Sequence, residues 1–411
     1  MSDLLIIGAG PAGLSAAIAA AEKGLSVTVI DEFPKAGGRL LGQLHQEPNG
    51  EWWNGIQKGE QLSQRARQLG VTIQCEVSVY DISQSKNGWD VYTTKGEYKA
   101  EKLLLATGAT ESPIPVKGWT LPGVMTIGAA QIMGNVHRVK PGNSCIIIGA
   151  NVLSMAIANE LKLCGVNVKE IIIPKADITS NEAGNPEQVL SSLMRLTHLA
   201  PTPILRQLGK IGKLVHPKIA IKLFPRKGIR MFDIPLRLKN AALEIVGDRF
   251  ATGVRTANIK ANGEIDHTSE KVVDADFVCI AGGLTPLSEL ASIIGCSFKY
   301  IPELGGHVPV HNEQMQTNIP GLYVAGNITG IESAKVAMAQ GRVAGLAIAA
   351  DIMNDWEQME TSINKAIENV NITRDKALIQ FHPGISDARK KFYQKSEVDL
   401  TQISKIKKRE A

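Results

Sequence analysis

Residues 4–21, LLIIGAGPAGLSAAIAAA, constrain this chain more than any other stretch. Leu4 to Ile7 are consecutive apolar residues, the pattern of a strand buried on both faces. Gly8, Ala9, Gly10, Pro11, Ala12 and Gly13 then lead into an alanine-rich helix. In a strand–turn–helix of this spacing, Gly8 allows the tight turn and Gly10 lets a pyrophosphate reach the backbone. Gly13 lets helix and strand touch. The helix start offers N–H groups and the positive end of its dipole to the phosphates. Such a site also needs an acid about 20 residues on, to hold a ribose hydroxyl. Residues 25–30 form the second apolar run, and Asp31 ends it with Glu32 beside it. The opening stretch carries no charge and could also be read as a secretory or membrane segment. Asp3 and Glu22 flank it, no Lys or Arg precedes it, and its glycines are spaced for a turn, so that reading fails.

A chain of 411 residues predicts two or three domains, and 44% hydrophobic with 21% charged residues suits a soluble globular protein. A net charge of +5 does not argue for nucleic acid. Cys75, Cys145, Cys164, Cys279 and Cys296 are scattered with no C-x-x-C pair. That spacing supports neither structural disulfides nor a metal site nor an iron–sulfur cluster. No targeting or transmembrane segment is recognisable, so the expected compartment is cytoplasmic.

Further glycine exits follow. Gly37 and Gly38 suggest a second place where backbone meets ligand, with Arg39 able to face a phosphate. The strand-like run 102–105, Lys-Leu-Leu-Leu, ends in Ala106, Thr107 and Gly108, small residues that permit close approach. A second strand–turn–helix begins at 144–148 and meets Gly149, Asn151 and Ser154 where the opening turn has three glycines. Only the first glycine survives there, so a second nucleotide, NAD(P) or another, is doubtful. From Gln188 to Phe232 there is no Asp or Glu, while nine Lys and Arg accumulate among aliphatic residues. This basic insertion could meet an acidic partner, a peripheral membrane surface or a phosphate, or be a solvated face; without interleaved aromatics, nucleic acid is not expected. Residues 321–327 run GLYVAGN, a short apolar strand that delivers Gly326 and Asn327 to another Ala/Gly-rich helix.

Together these motifs resemble the two-dinucleotide-domain flavoproteins, the pyridine nucleotide-disulfide oxidoreductase class, over residues 1 to about 350. The resemblance implies an α/β fold of two Rossmann-like dinucleotide-binding domains, three-layer β/β/α. It places an FAD domain at 1–115 and 305–352 and an inserted NAD(P)-type domain at 116–304, with the basic helical insertion at 188–232. A C-terminal helical tail of 353–411 remains as an appendage. Carried over residue by residue, Gly8, Gly10 and Gly13 would hold the FAD pyrophosphate and Asp31 the adenosine ribose, with Pro11, Ala12 and Glu32 also among the cofactor-binding residues. Gly38 and Arg39 would sit beside adenosine and phosphates, Val77 at the adenine, and Ala106, Thr107 and Gly108 along the cofactor. Gly326 and Asn327 form the last motif, with Asn327 where the family has Asp. Leu40 and His45 stand where disulfide reductases carry their redox cysteines, so thiol–disulfide chemistry is not expected.

Asp31-Glu32 before Gly37-Gly38, the run GWTLPGVMT at 118–126 and GGHVP at 305–309 are similar to a narrower group. These are the FAD-containing alpha subunits of heteromeric amine and imino-acid dehydrogenases, of the sarcosine oxidase, opine oxidase, proline dehydrogenase and hydrogen cyanide synthase type. That likeness implies an FAD-dependent oxidoreductase acting on a small amine or imino acid, with a second flavoprotein or electron-carrier subunit as partner. The alternatives are a stand-alone NAD(P)H-dependent flavin reductase and a nucleotide-binding scaffold subunit. No catalytic acid or base can be assigned from these residues; His45 is the one nomination near the flavin, and no metal ligand set is seen.

Overall fold

The computed structural model describes residues 1–47, 50–195, 216–260, 262–382 and 384–395. The chain divides into two compact units: Met1–Gln43, Asn54–Thr110 and Leu284–Ala411 form one, and Leu44–Trp53 with Glu111–Gly283 the other. The second junction thus falls at Gly283/Leu284 rather than at 304/305.

The first unit opens with β1 (Ser2–Ile7), α1 (Pro11–Ala21) and β2 (Val27–Ile30). It continues with α2 (Gly55–Gln68), β3 (Thr72–Gln74), β4 (Val79–Ser85), β5 (Gly88–Thr93) and β6 (Gly96–Leu105). The strands order as β3-β2-β1-β6-β5-β4. The pairs β3–β2, β2–β1 and β1–β6 are parallel, whereas β4, β5 and β6 form an antiparallel meander. Side chains of β1 alternate between two cores, as strand geometry dictates. Leu4 and Ile6 pack with α1, while Leu5 and Ile7 pack with Trp89 and Val91 of the meander.

The second unit holds β7 (Val124–Thr126), α3 (Ile127–Asn135), β8 (Ser144–Ile148), α4 (Val152–Leu163) and β9 (Asn167–Pro174). Then come β10 (Ile234–Gly247), β11 (Ala251–Ile259), β12 (Ile265–Asp274) and β13 (Phe277–Ile280). Their order is β7-β13-β8-β9-β10-β11-β12, parallel as far as β10 and antiparallel beyond. The same two-faced burial recurs: Cys145 and Ile147 enter one core, Ile146 and Ile148 another. This is the second Rossmann-like unit. Helices Pro186–Arg195 and Pro217–Leu223 flank the centre of the basic insertion, while Arg206, Lys210 and Lys213 lie outside the described residues.

The chain returns to the first unit for β14 (Leu322–Val324), parallel to β6, followed by α5 (Ala334–Met353) and α6 (Trp356–Asp375). By length and composition α5 could cross a membrane, yet 72% of its apolar window is buried inside the protein. Its partner is α1. A Cβ on Gly341 would strike the carbonyl of Ala12, and one on Gly345 that of Ala16, so the two backbones lie in direct contact. The described residues between 354 and 395 pack into this unit. Ile363 and Val370 of α6 join the core of α1 and α5, and Arg389, Phe392 and Tyr393 are buried further on.

Candidate functional site

The glycine turn is locked from below and open from above. Gly8 adopts φ +108°, and a Cβ there would run into the carbonyl oxygen of Ala106 at the end of β6. A Cβ on Gly13 would run into the carbonyl oxygen of Gly8. Gly10 differs, since a Cβ on it would meet nothing within 4 Å. Gly10 is also the N-cap of α1 and offers no side chain to the helix end, and Pro11 has no N–H to leave unpaired. The start of α1 is therefore left without a side-chain cap, with room beside Gly10 for a ligand to approach its N–H groups.

Two other segments converge on this turn. Gly38, with φ +54°, would place a Cβ 2.9 Å from the Cα of Gly10, and Gly37 N–H donates to Ala9 at 2.8 Å. Gly326, with φ +80°, would place one 2.7 Å from the Cβ of Ala12. Gly326 N–H donates to Gln340 Oε1 at 3.0 Å, while Gln340 Nε2 is buried with no partner. Asn327 accepts the Glu332 N–H on its side-chain oxygen at 3.2 Å, which turns that oxygen away from solvent duty and leaves the amide as donor. Three stretches far apart in sequence thus line one open strip, a fit for an extended dinucleotide.

The remaining expected residues sit around the strip with their own engagements. Asp31 is buried and accepts Ala9 N–H at 2.6 Å and Phe33 N–H at 2.8 Å, one on each oxygen. Burial lifts its carboxyl above the ordinary value, against the pull of those two N–H groups. Asp31 therefore clasps the turn to the end of β2, and the exposed carboxylate beside it is Glu32. Arg39 donates Nε and Nη2 to the carbonyl of Ala109 at 3.0 and 2.8 Å. The Val77 side chain is buried in the meander core, and its N–H donates to Asp31 O at 3.0 Å. Ala106 N–H bonds Ile7, the Thr107 hydroxyl donates to Leu287 O at 2.5 Å, and Gly108 is open at φ +81°. His45 is grouped in the second unit, its ring stacked on Trp53 with centroids 6.1 Å apart.

In the second unit the corresponding turn has the same lock and a different top. Gly149 adopts φ +112°, and a Cβ on it would strike the carbonyl oxygen of Ala281. The start of α4, however, is closed by its own side chains. Asn151 Oδ1 accepts Ser154 N–H at 2.9 Å, Ser154 Oγ accepts Asn151 N–H at 2.9 Å, and Asn151 Nδ2 donates to Ala281 O at 2.8 Å. This capping box occupies donors that the first turn leaves free. Further along α4, Glu160 accepts Gln131 Nε2 at 2.9 Å and Asn135 Nδ2 at 2.5 Å. Burial pushes its carboxyl up to about 7, despite those bonds and one from the Leu44 backbone.

One cluster escaped the sequence reading altogether. Glu332, just before α5, is clasped by Arg374 Nε and by Arg389 Nη2, the latter at 2.9 Å. All three side chains are at most 4% exposed. Their spacing of 42 and 57 residues follows no local period, so no sequence signal could have paired them. All five cysteines are free thiols, and no metal-ligand cluster occurs among the described residues.

The family model described as pyridine nucleotide-disulphide oxidoreductase matches residues 2–184 and 225–341. An opine oxidase subunit of Agrobacterium tumefaciens (strain Ach5) is 29% identical over 85% of this chain. This chain covers 66% of that relative, just under two thirds of its length. Hydrogen cyanide synthase subunit HcnB of Pseudomonas protegens is 25% identical over 84% of this chain and 69% of its own. Among solved structures, thioredoxin reductase of T. acidophilum overlays 86% of this chain and 99% of its own at a TM-score of 0.60 and 23% identity, a likeness of fold.

Proposed function

Because this chain belongs to the pyridine nucleotide-disulphide oxidoreductase family, we propose that it is the flavin subunit of a multi-subunit amine or imino-acid dehydrogenase that passes electrons to a partner. It is an FAD-dependent oxidoreductase; the finer reading concerns substrate and electron acceptor. When bound, FAD supplies a two-electron acceptor for a C–H bond next to nitrogen, and that chemistry is the cofactor's own. The chain's residues bind and orient it. The first turn offers N–H groups at Ala12 and Gly13 to the pyrophosphate, Glu32 a carboxylate to the ribose, and the Asn327 amide a donor to the ribityl chain.

The observation that carries the partner-dependent reading is the contrast between the two turns. In the second unit Asn151 and Ser154 engage each other's N–H groups, which leaves fewer donors at that helix end for a nicotinamide dinucleotide's pyrophosphate than the first turn offers. The subunit designations of the opine oxidase and hydrogen cyanide synthase relatives point the same way. The thioredoxin reductase-like fold favours a second reading, a stand-alone NAD(P)H-dependent flavin reductase.

Anaerobic titration of the purified protein separates them. The expected result is a yellow protein whose flavin stays oxidised with NADH and NADPH. Rapid stoichiometric bleaching by either overturns the partner-dependent reading in favour of the reductase. A protein that carries and binds no FAD would leave the scaffold reading.

A further inference from the structure

Chain beyond α5 reaches back into the turn that follows β14. Arg389 is 1% exposed, and its Nη2 donates to Thr329 Oγ1 at 3.1 Å as well as to Glu332. The Thr329 hydroxyl in turn donates to the Gly326 carbonyl at 2.8 Å. Glu332 extends the same chain of bonds through its backbone, whose N–H goes to Asn327. Gly330, at φ +133°, would put a Cβ 2.8 Å from Arg389 Nη2, so the guanidinium lies directly against the backbone of the turn. Arg374, from α6, grips Glu332 from the other side with Nε and Nη2.

The cluster is more strongly cationic than packing requires. One carboxylate serves two guanidinium groups, and Arg389 Nε and Nη1 are buried without a partner. His311, whose ring lies 4.8 Å from that of Phe392, brings no negative charge to the site. A buried, under-paired cation is costly, and hydrophobic residues would have anchored this segment at less expense. The charge also stands behind the N-terminus of α5, which begins at Ala334 with Ser333 as its cap, so it adds to the positive end of that helix dipole.

We propose that Arg389 is a positioning residue for the bound FAD. Through Thr329 and Glu332 it fixes Gly326 and Asn327, and its buried charge favours the reduced cofactor, which is negative in its pyrimidine ring, over the oxidised one. This rests on FAD occupying the first unit, as argued above.

The test uses full-length R389Q and E332Q, with FAD affinity measured by titrating apoprotein and the midpoint potential measured on the reloaded protein. R389Q cuts the link to Thr329, whereas E332Q keeps its backbone bond to Asn327 and only loosens the clasp that holds Arg389 in place; both are expected to weaken FAD binding, R389Q about tenfold or more. The potentials move in opposite directions. R389Q removes a positive charge and lowers the potential; a tenfold loss of preference for the reduced form is about 30 mV for a two-electron couple. E332Q removes the negative charge and raises it. R389K, which keeps the charge without the planar fork, is expected to restore the potential of R389Q. Should R389Q fail to fold, R389K still tests the positioning role through FAD affinity, because it loses the fork onto Thr329 and Glu332 while E332Q tests the charge. Potentials that stay at the wild-type value, or shift in the same direction for R389Q and E332Q, overturn the electrostatic role. Unchanged FAD affinity in both overturns the positioning role. A wild-type protein that binds no FAD would instead sink the reading beneath the proposal.

Discussion

The turns at Gly8 and Gly149 are built on one plan and finished differently. Each glycine holds a left-handed conformation and rests on a carbonyl at the end of a neighbouring parallel strand, Ala106 in one case and Ala281 in the other. Above that lock, Gly10 leaves a gap where Asn151 inserts an amide, and Gly13 lets the backbone touch where Ser154 adds a hydroxyl. The lesson is that the fold and the ligand chemistry of this motif are separable. The first glycine secures the turn in both units, and Gly13 adds close helix–strand packing in the first; the side chains at the second and third positions decide whether the helix end is presented or capped.

The largest expected effect tests the shared part. Gly8→Ala and Gly149→Ala should each cost about 3 kcal/mol or more in urea unfolding, because a Cβ meets a carbonyl in a disfavoured conformation. Gly10→Val should leave the unfolding midpoint nearly unchanged, yet yield protein without flavin absorbance. If Gly8→Ala is tolerated while Gly149→Ala is not, the two locks are unequal and the comparison breaks at its base.

A smaller effect separates the helices behind the turns. α1 buries alanine and leucine, whereas α4 buries Glu160. Its carboxyl is pushed from 4.5 to about 7 in the folded chain, so between those values the folded state holds a proton that the unfolded state has released. Stability therefore falls as pH rises through that window, by up to about 3 kcal/mol. Glu160→Gln should flatten the melting temperature between pH 5 and 8. A slope that persists in the variant shows that another group is responsible.

The smallest effect concerns the seal itself. Asn151→Ala should lose about 1 kcal/mol, the usual value of an N-cap, without changing FAD content. Loss of flavin from this variant, on the scale of Gly10→Val, would show that the two ends are not independent.

Much of this was legible in the sequence because it is local. The turn at Gly8, its altered copy at Gly149 and the Gly326-Asn327 exit each declare themselves within a few residues, through glycine spacing between apolar runs. What was illegible depends on contacts between distant residues. Asp31 has the right position for a ribose acid, but only the fold shows both of its oxygens held by the backbone of Ala9 and Phe33. Arg39 stands ready for a phosphate in the sequence and is forked onto Ala109 in the structure. In the segment after α5, two of the buried residues, Arg374 and Arg389, are of the type that normally faces water, and that helps it read as a polar appendage.

The Arg389–Thr329–Gly326 linkage also sets a timetable. Synthesis runs from the N-terminus at roughly 5–20 residues per second, so the turn at Gly8 emerges tens of seconds before Arg389 is made. The intervening unit, Glu111–Gly283, is complete and able to fold while the first unit still lacks β14, α5 and α6. On a translating ribosome the nucleotide turn thus waits half-built, its alanine helix without the glycine face of α5 to cover it. If Arg389 positions the cofactor as proposed, full loading is expected only late in translation, once Arg389 has been made.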